Sequence, residues 1–351
     1  MSATLTPPRR DLPEAVASGR GGLTRTVLRL HRTALLAWTG FVVVTLGWLV
    51  WSGKVDAQSI LDHKRACDDL CAYAYEAHRY SVGLDRAGLV IGYASLGVAA
   101  FAGGALIGRE LESGTAHLAW TQGVSPARWL VAKLAVPAVA VVAGSAVLVA
   151  VYRWTRRTSD ALLYNKGWSE PGAFVASGPA TTAYALCALA LGALAALLIG
   201  RTLPALAAGF TATALLQGTL FAVRPDLWPA KTVTTTTWPE VLNSSWRLAS
   251  HGDTTTYHPR SHFWPLHLME TGLVLTVTVA ATAAAFWTLH RRTTPGRQAE
   301  TARPPQARAA RNRPAPGPHP AADADPGSSS RSGSTQPDTP PRRQRPLPGH
   351  S

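Results

Sequence analysis

The sequence predicts an all-α, polytopic membrane protein with six transmembrane helices and both termini in the cytoplasm. Three observations predict it. Apolar residues make up 46% of the 351 residues, an ordinary share. They gather, however, into nearly charge-free runs of about 20 residues, the length that crosses a hydrocarbon core of about 30 Å. The polar residues are gathered too, so the mean hydropathy of the whole chain is close to zero and conceals the segregation. Third, the net charge of +14 sits mostly at the ends: 6 Lys/Arg against 2 Asp/Glu before Thr33, and 11 against 4 from Arg291 onward. The positive-inside rule then places both ends in the cytoplasm, which requires an even number of spans.

In chain order, residues 1–22 lack periodicity and are expected to be disordered; no apolar core follows at the place a signal peptide requires. From Leu23 a helical pattern begins, with Leu23, Val27 and Leu30 on one face and Arg25, Arg29 and Arg32 on another. This suits a helix lying on the inner membrane surface or a cytoplasmic extension of the first span. The first span covers about Ala34–Trp51, with Trp38 near one end and Trp48 and Trp51 near the other, as in an aromatic belt. Residues 54–86 carry 5 basic and 6 acidic groups and read as an external loop.

The second span covers about Ala87–Ile107, with Gly104 and Gly108 at a spacing that permits close helix approach. A cytoplasmic loop, 108–128, follows. Ser125 and Pro126 supply an N-cap and first turn for the third span, about Trp129–Tyr152, in which Lys133 is placed to reach the inner surface. Residues 153–179 form a second external loop, whose net +2 runs against the charge rule. The fourth span, about Ala180–Gly200, turns at Arg201 and Pro204 into the fifth, which ends near Val223. A third external segment, 224–265, is rich in Thr, Trp and Pro. The last span, about Leu266–Leu289, stops at His290, Arg291 and Arg292. The whole domain therefore spans 23–292, and the Pro/Arg/Ser-rich tail 293–351 has no apolar face to bury.

The 108–128 loop has the most specific content. Its stretch LIGRELESGTAHLAWTQGVSPARWLVAKL resembles the loop between the second and third spans of type-2 ATP-binding cassette (ABC) transporter permeases, in particular the actinobacterial group. Arg109, Glu110, Glu112, Gly114, Thr115, Trp120, Gln122, Arg128, Trp129 and Lys133 carry the resemblance. A looser match runs from Tyr257 through Trp264 to Glu270, where His258 and His262 depart from the family pattern. The resemblance implies the permease subunit of an exporter and a dimeric pore from two permease copies. It also implies an ATPase-coupling loop made by the 108–128 segment, seated in a groove of a separate cytoplasmic ABC ATPase. Glu110 and Glu112 would then face basic residues of that ATPase, and Arg109 would anchor the end of the second span. The partner ATPase, not this chain, would bind ATP and Mg; no cofactor is expected here. The alternative is a membrane-embedded accessory or sensor protein without transport activity.

Other chemistries lack their residues. A phosphate-cradling G-x-x-x-x-G-K-[ST] loop is absent, since the one Gly-Lys pair, Gly53-Lys54, precedes Val55. No enzyme motif is recognisable. A proton-coupled carrier places carboxylates within its spans. Only Glu270 does so here, with His267 on the same face, and the two read as pore-mouth candidates or as a pair steadying the helix end. His251, His258, His262 and His267 invite a metal, and His258 and His262 are four apart, but Pro259 and Pro265 count against a long helix there, carboxylate or Cys partners at fixed spacing are missing, and no metal site is expected. Cys67 and Cys71 form a possible disulfide or a free pair, while Cys187 reads as a packing residue. The lipid bilayer, not nucleic acid, is the expected anionic surface, because no basic helix or aromatic-interleaved basic sheet carries the charge.

Overall fold

The computed structural model describes residues 32–66, 73–163, 167–234 and 245–294. The helix expected from Leu23 to Leu30, the terminal segments and the pair Cys67 and Cys71 lie outside the described residues. Among the described residues, six helices are long and apolar enough to cross a membrane. The first runs from Arg32 to Trp51, then through a π-helical turn, Ser52–Asp56, into Ala57–Ala66. The second, Tyr73–Phe101, passes into a π-helical segment, Ala102–Gly108. Pro126–Thr158, Ala180–Ile199, Thr202–Val223 and Phe263–Thr293 are the third to sixth.

Helix starts follow local chemistry. Ser125 accepts from the backbone N–H of Arg128 at 3.4 Å, with Pro126 in the first turn. Pro204 and Pro265 likewise fall in first turns, where a missing N–H is harmless. The fourth helix ends at Gly200, whose φ of 72° is the left-handed cap that favours glycine. The Thr-rich sixth helix crosses an apolar medium because its hydroxyls bond back to carbonyls one turn earlier. Thr271, Thr276, Thr278, Thr282 and Thr288 all do so, at 2.7–2.9 Å.

The fourth helix is the hub, packed by the second, third, fifth and sixth, and it is the helix most covered by its neighbours. Small residues allow this. A Cβ on Gly192 would stand 2.4 Å from the Ala99 carbonyl oxygen, and one on Gly103 would stand 2.6 Å from that of Ala205. The second, fourth and fifth helices thus meet backbone to backbone. The first helix leans on the third: Trp38 Nε1 donates to the Ala140 carbonyl at 3.0 Å, and Thr155 Oγ1 to that of Leu49 at 3.2 Å.

The spans are as expected, but the connections are more ordered. The segment 54–86, expected as a loop, is helical wherever it is described. Ala57, Ile60, Ala77, Tyr80 and Leu84 form an apolar cluster that extends both helices past the first and second spans. Segment 153–179, also expected as a loop, continues the third helix to Thr158 and adds a short helix, Pro171–Ala176. That helix lies against the second span at Gly88 and Gly172, where either Cβ would strike the other backbone. Segment 224–265 adds a three-stranded antiparallel sheet to an otherwise all-α fold: β1 Lys231–Thr234, β2 Trp246–His251 and β3 Thr254–His258, in the order β1-β3-β2.

Candidate functional site

At one end of the bundle, residues 109–125 fold into a compact connector. Arg109–Glu112 ends the second helix; Gly114, at φ 74°, breaks it; Thr115–Thr121 forms a short helix; Gly123, at φ 88°, turns the chain to the Ser125 cap. Both glycines occupy a backbone region that a Cβ disfavours. Thr115 Oγ1 hydrogen-bonds Ser113 Oγ at 3.0 Å and closes the break. Trp120 stands edge-on to Trp129 with centroids 5.7 Å apart, and its Nε1–H is buried without an acceptor. Ala116 is fully buried beneath the short helix. The outward face carries His117, Leu118, Thr121, Gln122 and Arg128, with Leu118 61% exposed. Arg109 is also exposed.

The sequence reading set both carboxylates against basic residues of a partner; in the structure each has a partner within the chain, Glu110 being mostly covered and Glu112 remaining exposed. Glu110 forms an ion pair with Lys133 and accepts from Trp129 Nε1 at 3.2 Å. Lys133 is buried and does not reach the surface. Glu112 accepts from the Thr202 backbone N–H at 2.9 Å and from the Thr202 hydroxyl. It thereby caps the fifth helix, whose preceding residue, Arg201, makes no side-chain cap. Acidic side chains amid unsatisfied N–H groups and a buried amine satisfy them first; partners 23 and 90 residues away are invisible to local pattern.

At the opposite end, His267 and Glu270 are both fully buried, so neither lines a mouth in this arrangement, and they do not pair with each other. Glu270 is held by Arg224, with Nε to Oε2 at 2.7 Å and Nη2 to Oε1 at 2.9 Å, and by Tyr184 OH at 2.7 Å. Arg224 lies over the Phe174 ring at 4.3 Å. His267 Nε2 accepts from the Ala180 N–H at 3.1 Å, capping the fourth helix, while its Nδ1 is buried without a partner. Phe174, Phe263 and Trp264 surround the imidazole. Fourth, fifth and sixth helices are thus joined at this end through polar groups. Sequence reasoning missed Tyr184 and Arg224, although a lone carboxylate in a span demands a cation, and an Arg closing the neighbouring span was the signal.

His258 and His262 meet through their Nδ1 atoms at 3.0 Å, and His258 Nε2 lies 2.9 Å from the Pro225 carbonyl, to which it donates. Among the described residues no three His, Cys, Asp or Glu side chains converge for a metal ion. Cys187 is buried.

No curated protein and no solved structure matches the chain. The family described as ABC-2 membrane transporter related matches residues 34–224, which include the first five spans and the whole 108–128 connector but not the looser stretch Tyr257–Glu270. With six membrane-crossing helices and a match over more than half its length, the chain is a multi-pass, permease-type protein and belongs to the ABC-2 membrane transporter related family.

Proposed function

We propose that the chain is the permease subunit of an ATP-driven exporter in the cell membrane. It works as a dimer of permeases with two copies of a separate ATPase, which binds the ATP and Mg, and the substrate path runs between the two permeases. The connector 109–125 lies on the cytoplasmic side, where the basic chain ends also lie, and docks the ATPase. The observation that carries this reading is the outward face of the short helix Thr115–Thr121. It is seated from behind by the buried Ala116 and by Trp120 against Trp129, yet leaves Leu118 61% exposed at the turn between the second and third spans. A half-exposed apolar side chain on a braced polar loop suits a protein partner.

Docking therefore rests on His117, Leu118, Thr121, Gln122 and the rim residues Arg109 and Arg128, with Gly114 and Thr115 shaping the loop and Trp120 filling it. The Glu110 charge is paired with Lys133 within the chain, while Glu112, hydrogen-bonded to Thr202, remains exposed. The test is co-purification from detergent of a polypeptide that carries a Walker A loop and hydrolyses ATP. Leu118→Glu is expected to lower its recovery at least tenfold while the permease stays monodisperse, because Leu118 touches little of its own chain. Full recovery with Leu118→Glu would move the docking face elsewhere. Failure of the unmodified chain to retain any such ATPase would favour an accessory or sensor role.

A further inference from the structure

The covalent route from the docking loop runs directly into the second span. Its last seven residues, Ala102–Gly108, are π-helical, with ladder bonds one residue longer than those of an α-helix. Three of them are glycines, and Gly103 and Gly108 bring this segment close to the backbone of the fifth span. Two non-covalent routes run beside it. Glu110 meets Lys133 in a pair of which 14% and 4% of the side-chain surfaces remain exposed, and this ties the loop to the third span. Glu112 engages both the backbone N–H and the hydroxyl of Thr202, the first residue of the fifth span. One carboxylate therefore reaches each of two spans, from positions two residues apart on one helical turn.

We propose that Glu110 and Glu112 are positioning residues that deliver movement of the docking loop to the third and fifth spans respectively. This rests on the docking role argued above and names how that same loop is regulated and read. A displacement of the short helix carries the ion pair and the cap with it, because breaking either leaves a desolvated charge or an uncapped helix end.

The experiment uses the full permease with its ATPase in lipid nanodiscs, in a background of Cys67→Ser, Cys71→Ser and Cys187→Ala. Single spin labels are placed at Val147→Cys on the third span and Leu215→Cys on the fifth; both native side chains are exposed. ATP with vanadate is expected to change label mobility at both positions. Glu112→Ala is expected to abolish the response at 215 and keep that at 147. Glu112→Gln, which retains an acceptor for Thr202, restores it. Glu110→Ala is expected to do the reverse, and the exchange Glu110→Lys with Lys133→Glu to restore the response at 147. ATPase recovery stays unchanged throughout.

Responses that persist at both labels in the Glu110→Ala/Glu112→Ala double variant would overturn the proposal, as would loss of both responses in each single variant. Loss of ATPase recovery in the variants alone would also overturn it, because the carboxylates would then be docking contacts. If the unmodified permease retains no ATPase, the docking reading fails instead, and that outcome is read before any label is examined.

Discussion

Glu270→Gln would leave the Arg224 guanidinium buried without its counter-charge. Arg224 is 4% exposed and Glu270 fully buried, and the two share two short hydrogen bonds at 2.7 and 2.9 Å. Removing one partner of such a pair costs about 3–5 kcal/mol, since the remaining charge stays desolvated. Tyr184→Phe keeps the pair and deletes one hydrogen bond to a charged acceptor, a loss of about 1.5–3 kcal/mol. Replacing the whole network, Arg224→Met with Glu270→Leu and Tyr184→Phe, leaves no orphaned polar group and is expected to lose less than Glu270→Gln alone.

The assay is reversible unfolding of the purified chain in mixed detergent micelles, followed by tryptophan fluorescence, which the 12 Trp residues make strong. At about 1.4 kcal/mol per factor of ten, Glu270→Gln should lower the folded-to-unfolded ratio by roughly a hundredfold or more, and Tyr184→Phe by about tenfold to a hundredfold. The ordering decides the matter. If the triple variant is as unstable as the sum of its parts, or Tyr184→Phe costs as much as Glu270→Gln, the charges do not compensate one another and the argument fails.

Two further outcomes follow from the packing and the charge pattern. Gly192→Ala should destabilise the bundle by about 1–3 kcal/mol, because its Cβ would stand 2.4 Å from the Ala99 carbonyl oxygen. Gly97→Ala meets nothing within 4 Å and should be neutral or gain about 0.5–1 kcal/mol of helix preference; the same unfolding assay compares them, and equal effects would deny the close crossing. A reporter fused after Arg292 should be cytoplasmic, and one inserted at the β2–β3 turn, Gly252-Asp253, should be outside; a cytoplasmic result at the turn would reverse the assigned sidedness or remove a span.

The sheet in segment 224–265 shows where a local signal existed and was outweighed. Lys231-Thr-Val-Thr and Thr254-Thr-Thr-Tyr are β-branched runs, and Gly252, at φ 56°, sits in a two-residue turn between β2 and β3. Composition alone made this stretch look like an ordinary polar connector. The helical extensions over 57–66 and 73–86 were hidden differently. Their charges exceed those of a span, and only the apolar stripe of Ile60, Tyr80 and Leu84, closing on the third helix at Tyr152, shows that they pack.

The amino-acid sequence by itself determined the number of spans, their approximate limits and the cap at Ser125, because each depends on residues within one turn or one bilayer thickness of each other. It also carried the loop motif that the family match covers. Only the tertiary structure decided what the charged residues do. Glu110 and Lys133 are 23 positions apart, Arg224 and Glu270 are 46, and Glu112 and Thr202 are 90. A carboxylate next to water and a carboxylate next to a buried amine have the same local sequence. The helix packing around the fourth span chooses between them, because in an apolar medium each charge must end beside the nearest group that satisfies it.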